Sequence, residues 1–305
     1  MIRIPGKVFL CGEYAVLDGA PAVLAAVSAY GTVALDARVG ALSPFVEAAL
    51  QHAAAWLAEL GKAVPPGIPA INTDAFRAED GKKLGLGSSA VATVGALAAV
   101  IDAAGLDLTA PAVRARLTGL AIDAHRQAQG GTGSGADIAT CVHGGFIRYV
   151  KGDAAAQVTA LQPPAGLVLA LVWSGTSAST SSMVGQVRRA GAALGELAAL
   201  AHAFADAFAR GDPASVIAAA GRYGRALQTL GDQAGVPVVT PAFARYMALA
   251  ERHGGAAKPS GAGGGDLAVA FLPSAAAAEA LAREASAEGL VPCELGWDQG
   301  GVRQA

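Results

Sequence analysis

Three glycine- and serine-rich stretches hold the residues whose types and spacing could do chemistry. Residues 82–100 read KKLGLGSSAVATVGALAAV, a glycine-serine turn running straight into an alanine-rich apolar stretch. Gly85 and Gly87 permit positive φ and the close approach of a ligand, and Ser88 and Ser89 are placed to cap the helix that follows. The free N–H groups and the dipole at such a helix start make an anion site, most naturally for phosphate. Taken alone, the six residues Gly85, Leu86, Gly87, Ser88, Ser89 and Ala90 read equally well as a plain helix cap. The second stretch, QGGTGSGADIAT, sets Asp137 between a Gly-Ser-Gly turn and a short apolar helix. Capping is the favoured reading of that aspartate in isolation. The third, KPSGAGGGDLAVAF, puts four glycines into positions 261–265, directly ahead of a strand. So many glycines cost backbone entropy on folding, and a loop whose backbone must approach a ligand has a reason for them.

Two nucleotide-binding patterns fail on context. GLGSSA formally matches G-x-G-x-x-A, and Asp107 lies about the right distance downstream. The turn follows the polar FRAEDGKK instead of a buried strand, however, and no apolar strand between Ala99 and Asp107 carries that acid. The pattern G-x-x-x-x-G-K-[ST] fits none of the Gly-Lys pairs at Gly6, Gly61 or Gly81. A nucleotide held at this turn is therefore held without a lysine inside its own loop. Lys7, fixed behind Pro5-Gly6, is by default a solvated strand-edge residue. Beside the other motifs it becomes a cation able to keep Asp137 ionised and to stabilise charge as a bond to phosphate breaks. His125 and His143 read as helix and turn residues, and Trp297 and Asp298 in GWDQGG receive no role.

The elements that must position these residues form an α+β pattern with glycine at the joints. VFLCGEYAVL and VLAAVSAYGTVALDARV have the β-branched content and turn glycines of paired strands. PFVEAALQHAAAWLAELG and PAVRARLTGLAIDAHRQAQG space apolar residues by three and four and end at glycine, as helices do. GGFIRYV reads as a strand, and GDAAAQVTALQPPAG as a polar connector that divides the chain into residues 1–160 and 161–305. The second half opens with the strand LVLALVW and continues through three or four alanine-rich helices. It then passes the third glycine cluster, the strand LAVAFL, a helix and the strand-like LVPCEL.

Composition excludes several classes. The chain has 305 residues, 53% of them hydrophobic and 15% charged, with a net charge of −2, so neither a nucleic-acid nor a polybasic membrane partner is indicated. Cys11, Cys141 and Cys293 form no metal or disulfide pattern, which fits a reducing cytoplasm. No apolar run reads as a membrane span, and the N-terminus lacks the composition of an export signal.

In order and spacing, PGKVFLCGEYAVLDG, KLGLGSSA and SGAGGGD resemble the three motifs of the GHMP small-molecule kinases, a superfamily named for galactokinase, homoserine kinase, mevalonate kinase and phosphomevalonate kinase. The resemblance covers nearly the whole chain. It implies a two-domain α+β fold, with an N-terminal α/β domain like ribosomal protein S5 and a ferredoxin-like C-terminal domain, and ATP and substrate in the cleft between them. GEYAV, QGGTGSGADIA, Asp266 and WSGTSASTSSMV look like the phosphomevalonate kinase branch. The activity implied is ATP-dependent phosphorylation of (R)-5-phosphomevalonate to 5-diphosphomevalonate. The alternatives are mevalonate kinase or another small-alcohol kinase, then diphosphomevalonate decarboxylase, then a non-catalytic homologue. Intact Lys7 and Asp137 argue against the last.

By the same resemblance Lys7 and Asp137 are catalytic, residues 85–90 hold ATP, and the Ser89 hydroxyl is a Mg²⁺ ligand. The glutamate that mevalonate kinases place upstream of their catalytic aspartate is absent here: Arg126 stands eleven residues before Asp137, and Asp123 is the nearest acid. A phosphorylated alcohol needs a second anion clamp, for which Lys83 and Arg148 are candidates. Hydrogen bonds are expected from Ser134 and Ser179, and main-chain contacts from Gly261, Ala262 and Gly263. A homodimer is left open.

Overall fold

The computed structural model describes residues 1–36, 41–152, 155–178, 180–189 and 194–305. The first half contains β1 (Ile2–Cys11), β2 (Ala22–Asp36), α1 (Pro44–Glu59), β3 (Ile68–Asn72), α2 (Ser88–Ala103), α3 (Pro111–Ala128), α4 (Ala136–His143), β4 (Phe146–Val150) and β5 (Gln157–Leu161). The second contains β6 (Val168–Trp173), α5 (Thr180–Arg189), α6 (Gly195–Ala209), α7 (Pro213–Ala234), α8 (Pro241–Arg252), β7 (Ala256–Ser260), β8 (Leu267–Leu272), α9 (Ala275–Ala287) and β9 (Val291–Cys293), and the chain ends in β10 (Arg303–Gln304).

The expected helices form where periodicity and caps place them. Ser43 accepts from Val46 N at the head of α1, and Pro111 opens α3 in the first turn, where its missing N–H costs nothing. GEYAVL was expected to be strand and is not: β1 stops at Cys11, and Ala15–Asp18 form a 3₁₀ turn before β2. The expected run of β2 to residue 39 passes outside the described residues after Asp36. Two strands lie where loops were expected. QVTAL pairs with β4 inside the expected connector, and AAKPS pairs with β8 immediately before the third glycine cluster. β3, which pairs with β2, was also not anticipated.

The first sheet runs β10-β1-β2-β4-β5, with β3 also on β2, and every pairing is antiparallel. Helices α2 and α4 cover one face, with α1 and α3 behind them. The other face meets α6, where Phe146 packs against Phe208 with the rings tilted. The second sheet runs β7-β8-β6-β9. Along β8, Val269 and Phe271 join the core with α6 and α7, while Ala268, Ala270 and Leu272 pack toward α8 and α9. Burial on both faces explains why LAVAFL is apolar throughout instead of alternating. Helices α6 and α7 thus form the layer between the two sheets.

The chain end returns to the first sheet, across the expected division at residue 160. Ile2 pairs with Gln304, Arg3 with Arg303, and Val27 bridges to Trp297. Asp298, which had no role in the sequence, organises this return. Its Oδ1 accepts from Gly300 N (3.0 Å) and Gly301 N (2.7 Å), and its Oδ2 from Tyr30 Oη (3.0 Å) and Arg303 (2.7 Å). Burial pushes that carboxyl up, but the hydrogen bonds from Arg303, Gly301 N and Tyr30 outweigh it and hold it below the ordinary carboxylate value.

Candidate active site

The geometry is set by the entry of β1. A register irregularity falls between Pro5 and Gly6, and the Lys7 N–H donates to Leu86 O at 3.0 Å, so the GLGSSA turn is hydrogen-bonded directly onto the strand. Lys7 Nζ then donates to Gly85 O at 3.3 Å, and the side chain is buried. The two motif residues lie 78 positions apart in sequence and in contact in space.

Helix α2 starts at Ser88, with Gly87 as its N-cap at φ 90° and no side-chain cap bond. The expected capping by Ser88 and Ser89 is not what forms. Because the cap position requires left-handed backbone, glycine occupies it, and the first-turn N–H groups are left without a side-chain acceptor. Gly85 needs glycine for another reason: a Cβ there would stand 2.5 Å from Asp266 Cβ. The space read as room for a ligand is in part taken by this aspartate from the second half.

Helix α4 repeats the arrangement. Its N-cap is Gly135 at φ 87°, again without a side-chain cap bond, and Asp137 sits half-buried in the first turn with Oδ1 accepting from Ile138 N at 2.9 Å. Asp137 is therefore not the N-cap that its local sequence suggests. Helix α4 packs on β1, the strand of Lys7, and on α2, the helix that follows the GLGSSA turn. Cys141, one turn further along α4, is fully buried; burial pushes its thiol up, Asp137 adds to the rise and Lys7 opposes it, so both charges lie near it. Arg126, at the position where mevalonate kinases carry an acid, bonds Gly133 O (3.3 Å) and Ser134 O (3.2 Å) and so shapes the loop that presents Asp137. Tyr149 donates to Ser134 O at 2.5 Å, and burial pushes its phenol up to about 12, so it remains a donor at neutral pH. Ser134 Oγ accepts from Ala136 N at 3.2 Å.

A cavity of about 370 Å³ opens beside the α2 start. Leu42, Phe45, Pro69 and Ile71 make its apolar wall, and Arg77, Lys83, Ser88 and Ser89 its polar end. Lys83 is thus in the wall of this cavity. His125, read as a helix residue, is buried against Phe45 and lies 3.2 Å from Ser89 Oγ through Nε2. Among the described residues no group of three His, Cys, Asp or Glu could hold a metal.

Arg148 is not brought to the others. Neighbouring strand residues point to opposite faces. Tyr149 reaches Ser134 on the α4 side, whereas Phe146, in phase with Arg148, meets Phe208 of α6. Ser179 lies outside the described residues. The third cluster is joined to the first motif: Gly261 N donates to Glu13 Oε1 (3.2 Å) and Tyr14 Oη to Ala262 O (2.6 Å). Two of its glycines accommodate the protein's own main chain: a Cβ at Gly263 would stand 2.1 Å from Val238 O, and one at Gly265 2.9 Å from Thr176 O.

Sequence reading gave Asp266 no role in the site. It adopts φ 57°, receives Ala178 N on Oδ1 (3.3 Å), and exchanges main-chain bonds with Ser174 and Thr176. Burial raises its carboxyl above the ordinary value, and Ala178 N, Lys7 and Lys83 draw it partly back. The available signal was a non-glycine closing a run of glycines.

Comparison with known proteins gives the family. The family pattern for the GHMP kinases N terminal domain matches residues 50–145, and that for GHMP kinases C terminal matches residues 204–290. A phosphomevalonate kinase of Streptomyces sp. (strain CL190) is 32% identical, with 89% of each chain covered. The chain belongs to the GHMP kinase family. Among solved structures, the Lin0012 protein of Listeria innocua superposes on this kinase with a TM-score of 0.86 at 27% identity, over 99% of this chain and 98% of that one. Streptococcus pneumoniae phosphomevalonate kinase, in complex with phosphomevalonate and AMPPNP, gives a TM-score of 0.83 over 97% and 99% of the two chains. At 19% identity that likeness is one of fold. The α+β two-domain GHMP architecture expected from the sequence is therefore the one observed.

Proposed function

We propose that this kinase transfers the terminal phosphoryl group of ATP to the phosphate of (R)-5-phosphomevalonate, forming 5-diphosphomevalonate and ADP. The observation that carries the reading is the bond of buried Lys7 to the glycine turn at the uncapped start of α2, with the Asp137 helix packed on the same strand and helix, in a chain 32% identical to a phosphomevalonate kinase. One helix start without a side-chain cap bond, at α2, and one buried cation make a site for phosphate oxygens. Phosphoryl transfer asks chiefly for such positioning and charge neutralisation.

The nucleoside occupies the cavity walled by Phe45 and Ile71, and its phosphates run along Ser88 and Ser89 toward Lys7. An oxygen of the acceptor phosphate attacks the terminal phosphorus while the bond to the bridging oxygen of ADP breaks. A phosphate monoester has a second pKa of about 6, so this oxygen already lacks a proton at neutral pH. Asp137 then serves to orient Lys7 and the acceptor, whereas an alcohol acceptor would require it as a base. Lys83, in the cavity wall, answers the nucleotide's charge instead of the acceptor's, and Arg148, on the far face of the sheet, is left out.

The donor set fits a Mg²⁺ that arrives on the nucleotide. Ser89 Oγ would be its protein ligand, and an Nε2–H of His125 donating to that oxygen would leave a lone pair for the metal. With few protein oxygens, phosphates and water complete the shell, as is usual for this ion; when bound it neutralises phosphate charge. The cysteines fit a cytoplasmic setting, and no helix among the described residues is long and apolar enough to cross a membrane. Coupled ADP release with mevalonate, phosphomevalonate and diphosphomevalonate at equal concentration tests the reading. Turnover of phosphomevalonate should dominate, and preference for either of the others overturns it.

A further inference from the structure

The part of the first motif that the chemistry leaves unused is Glu13, together with a lysine from the other end of the chain. Lys258, on β7, is 0% exposed and Glu13 is 3% exposed. Lys258 Nζ donates to Glu13 Oε1 at 2.5 Å and to Pro259 O at 2.7 Å. The same carboxylate oxygen accepts the N–H of Gly261 at 3.2 Å, while Glu13 Oε2 is buried and has no partner among the described residues. The Glu13 main chain is held in turn, its carbonyl accepting from Tyr223 Oη at 2.6 Å. Tyr14, next in sequence at φ 61°, donates to Ala262 O at 2.6 Å, and Phe9 N donates to Ser260 Oγ at 2.9 Å.

A buried ion pair is a poor device for stability, because removing two charges from water offsets most of their attraction. An apolar pair of similar volume would fill the same space at least as well. What such a pair would not supply is an acceptor for Gly261 N–H. Gly261 has its other side free: a Cβ built there meets nothing within 4 Å. The peptide groups on either side of the Gly261–Ala262 link are therefore held by residues of the first motif, through Gly261 N–H and Ala262 O, while Gly261 itself faces open space.

We propose that Glu13, held by Lys258, is a positioning residue that sets the Gly261–Ala262 main chain for the acceptor substrate, with Tyr14 fixing the next carbonyl. The role rests on the reading of this loop as part of the acceptor site. It links the GEYAV and SGAGGG motifs through one carboxylate.

Two double variants separate positioning from mere stability. Glu13→Met/Lys258→Met removes both charges and the acceptor for Gly261 N–H. Glu13→Gln/Lys258→Met removes both charges and keeps an amide oxygen for that N–H. Loss of one buried hydrogen bond corresponds to about a ten-fold effect, so the Met/Met enzyme should raise the KM for phosphomevalonate about ten-fold and leave the KM for ATP within about two-fold. Gln/Met should restore the acceptor KM to near wild type. Amide exchange at Gly261 and Ala262, read by mass spectrometry on the unliganded protein, should rise in Met/Met and not in Gln/Met. Equal acceptor KM values in the two variants, or exchange unchanged in both, overturn the positioning role. Raised exchange accompanied by a change in the ATP KM alone overturns the assignment to the acceptor. If the wild-type enzyme turns over none of the three mevalonate compounds, the functional reading fails, and the exchange comparison still decides whether Glu13 sets the loop. Should the double variants fail to fold, Tyr14→Phe keeps the ion pair and drops only the bond to Ala262 O. It should raise exchange at Ala262 and the acceptor KM by about three-fold or more, and no change in either overturns the proposal.

Discussion

Replacing Gly87 by alanine tests whether the α2 start and Lys7 act as one unit. Gly87 caps the helix at φ 90°, where an L side chain costs about 1–2 kcal/mol. For a chain of this size that corresponds to a fall in Tm of roughly 2–4 °C. The new methyl would stand 3.0 Å from Lys7 Cε and 3.2 Å from Cγ, so the lysine stem must give by a few tenths of an ångström. Its Nζ bond to Gly85 O is already 3.3 Å long, and a shift of that size breaks it. Misplacing a positioned group by about 1 Å can cost on the order of 10²-fold, so we expect kcat to fall by roughly ten- to a hundred-fold. Gly105→Ala is the control. It lies just past the other end of the same helix at φ 79°, with nothing within 4 Å of the added Cβ. It should lose comparable stability and keep wild-type kcat. The assay is coupled ADP release at saturating phosphomevalonate and ATP, beside thermal melts of both variants. Equal kcat in the two variants would refute the coupling of this turn to Lys7, since backbone strain alone would then account for every effect.

Asp137→Asn should lower kcat by ~10²–10⁴-fold with little change in Tm. Because an acceptor phosphate is ionised above about pH 6, the loss should persist as pH rises; recovery at alkaline pH would show Asp137 to be a general base instead. Lys83→Met should raise the KM for ATP and depress kcat/KM equally for any acceptor, and a loss confined to phosphorylated acceptors would return Lys83 to the acceptor clamp. Asp298→Asn should destabilise the protein at pH 7 by about 1–3 kcal/mol through its charge-assisted bonds. The sign follows from its lowered carboxyl: the stabilisation is present above the ordinary value of 3.8 and lost as pH falls through the folded-state value. Melts of the two proteins should therefore converge in acid, and a gap that widens there would contradict the assignment.

Local rules were enough for the elements whose cause is local. Apolar spacing with glycine at the end, and Pro111 in the first turn of the second, marks α1 and α3, and the glycine turns mark where α2 and α4 begin, though not that Gly87 and Gly135 are their caps. Three glycine motifs in order were also enough to indicate the GHMP kinase architecture. The strands β5 and β7 were not legible: QVTAL is only five residues long and lies inside a stretch that reads as a polar, proline-containing connector, and AAKPS has no β-branched residue, carries a proline and runs straight into the glycine cluster. Their pairing is decided by the neighbours β4 and β8. Nor did the sequence decide which side chains do what. Asp137 reads as a cap until Gly135 takes the cap position, and Arg148 reads as a clamp until strand alternation turns it toward α6. Gly85 reads as room for a ligand until Asp266 is found against it. Contacts around the site join Lys7 to Gly85 and Glu13 to Lys258, the second across 245 residues. No local periodicity encodes such a pairing. It exists only once two sheets and the α6–α7 layer between them have brought the chain's first motif against its last.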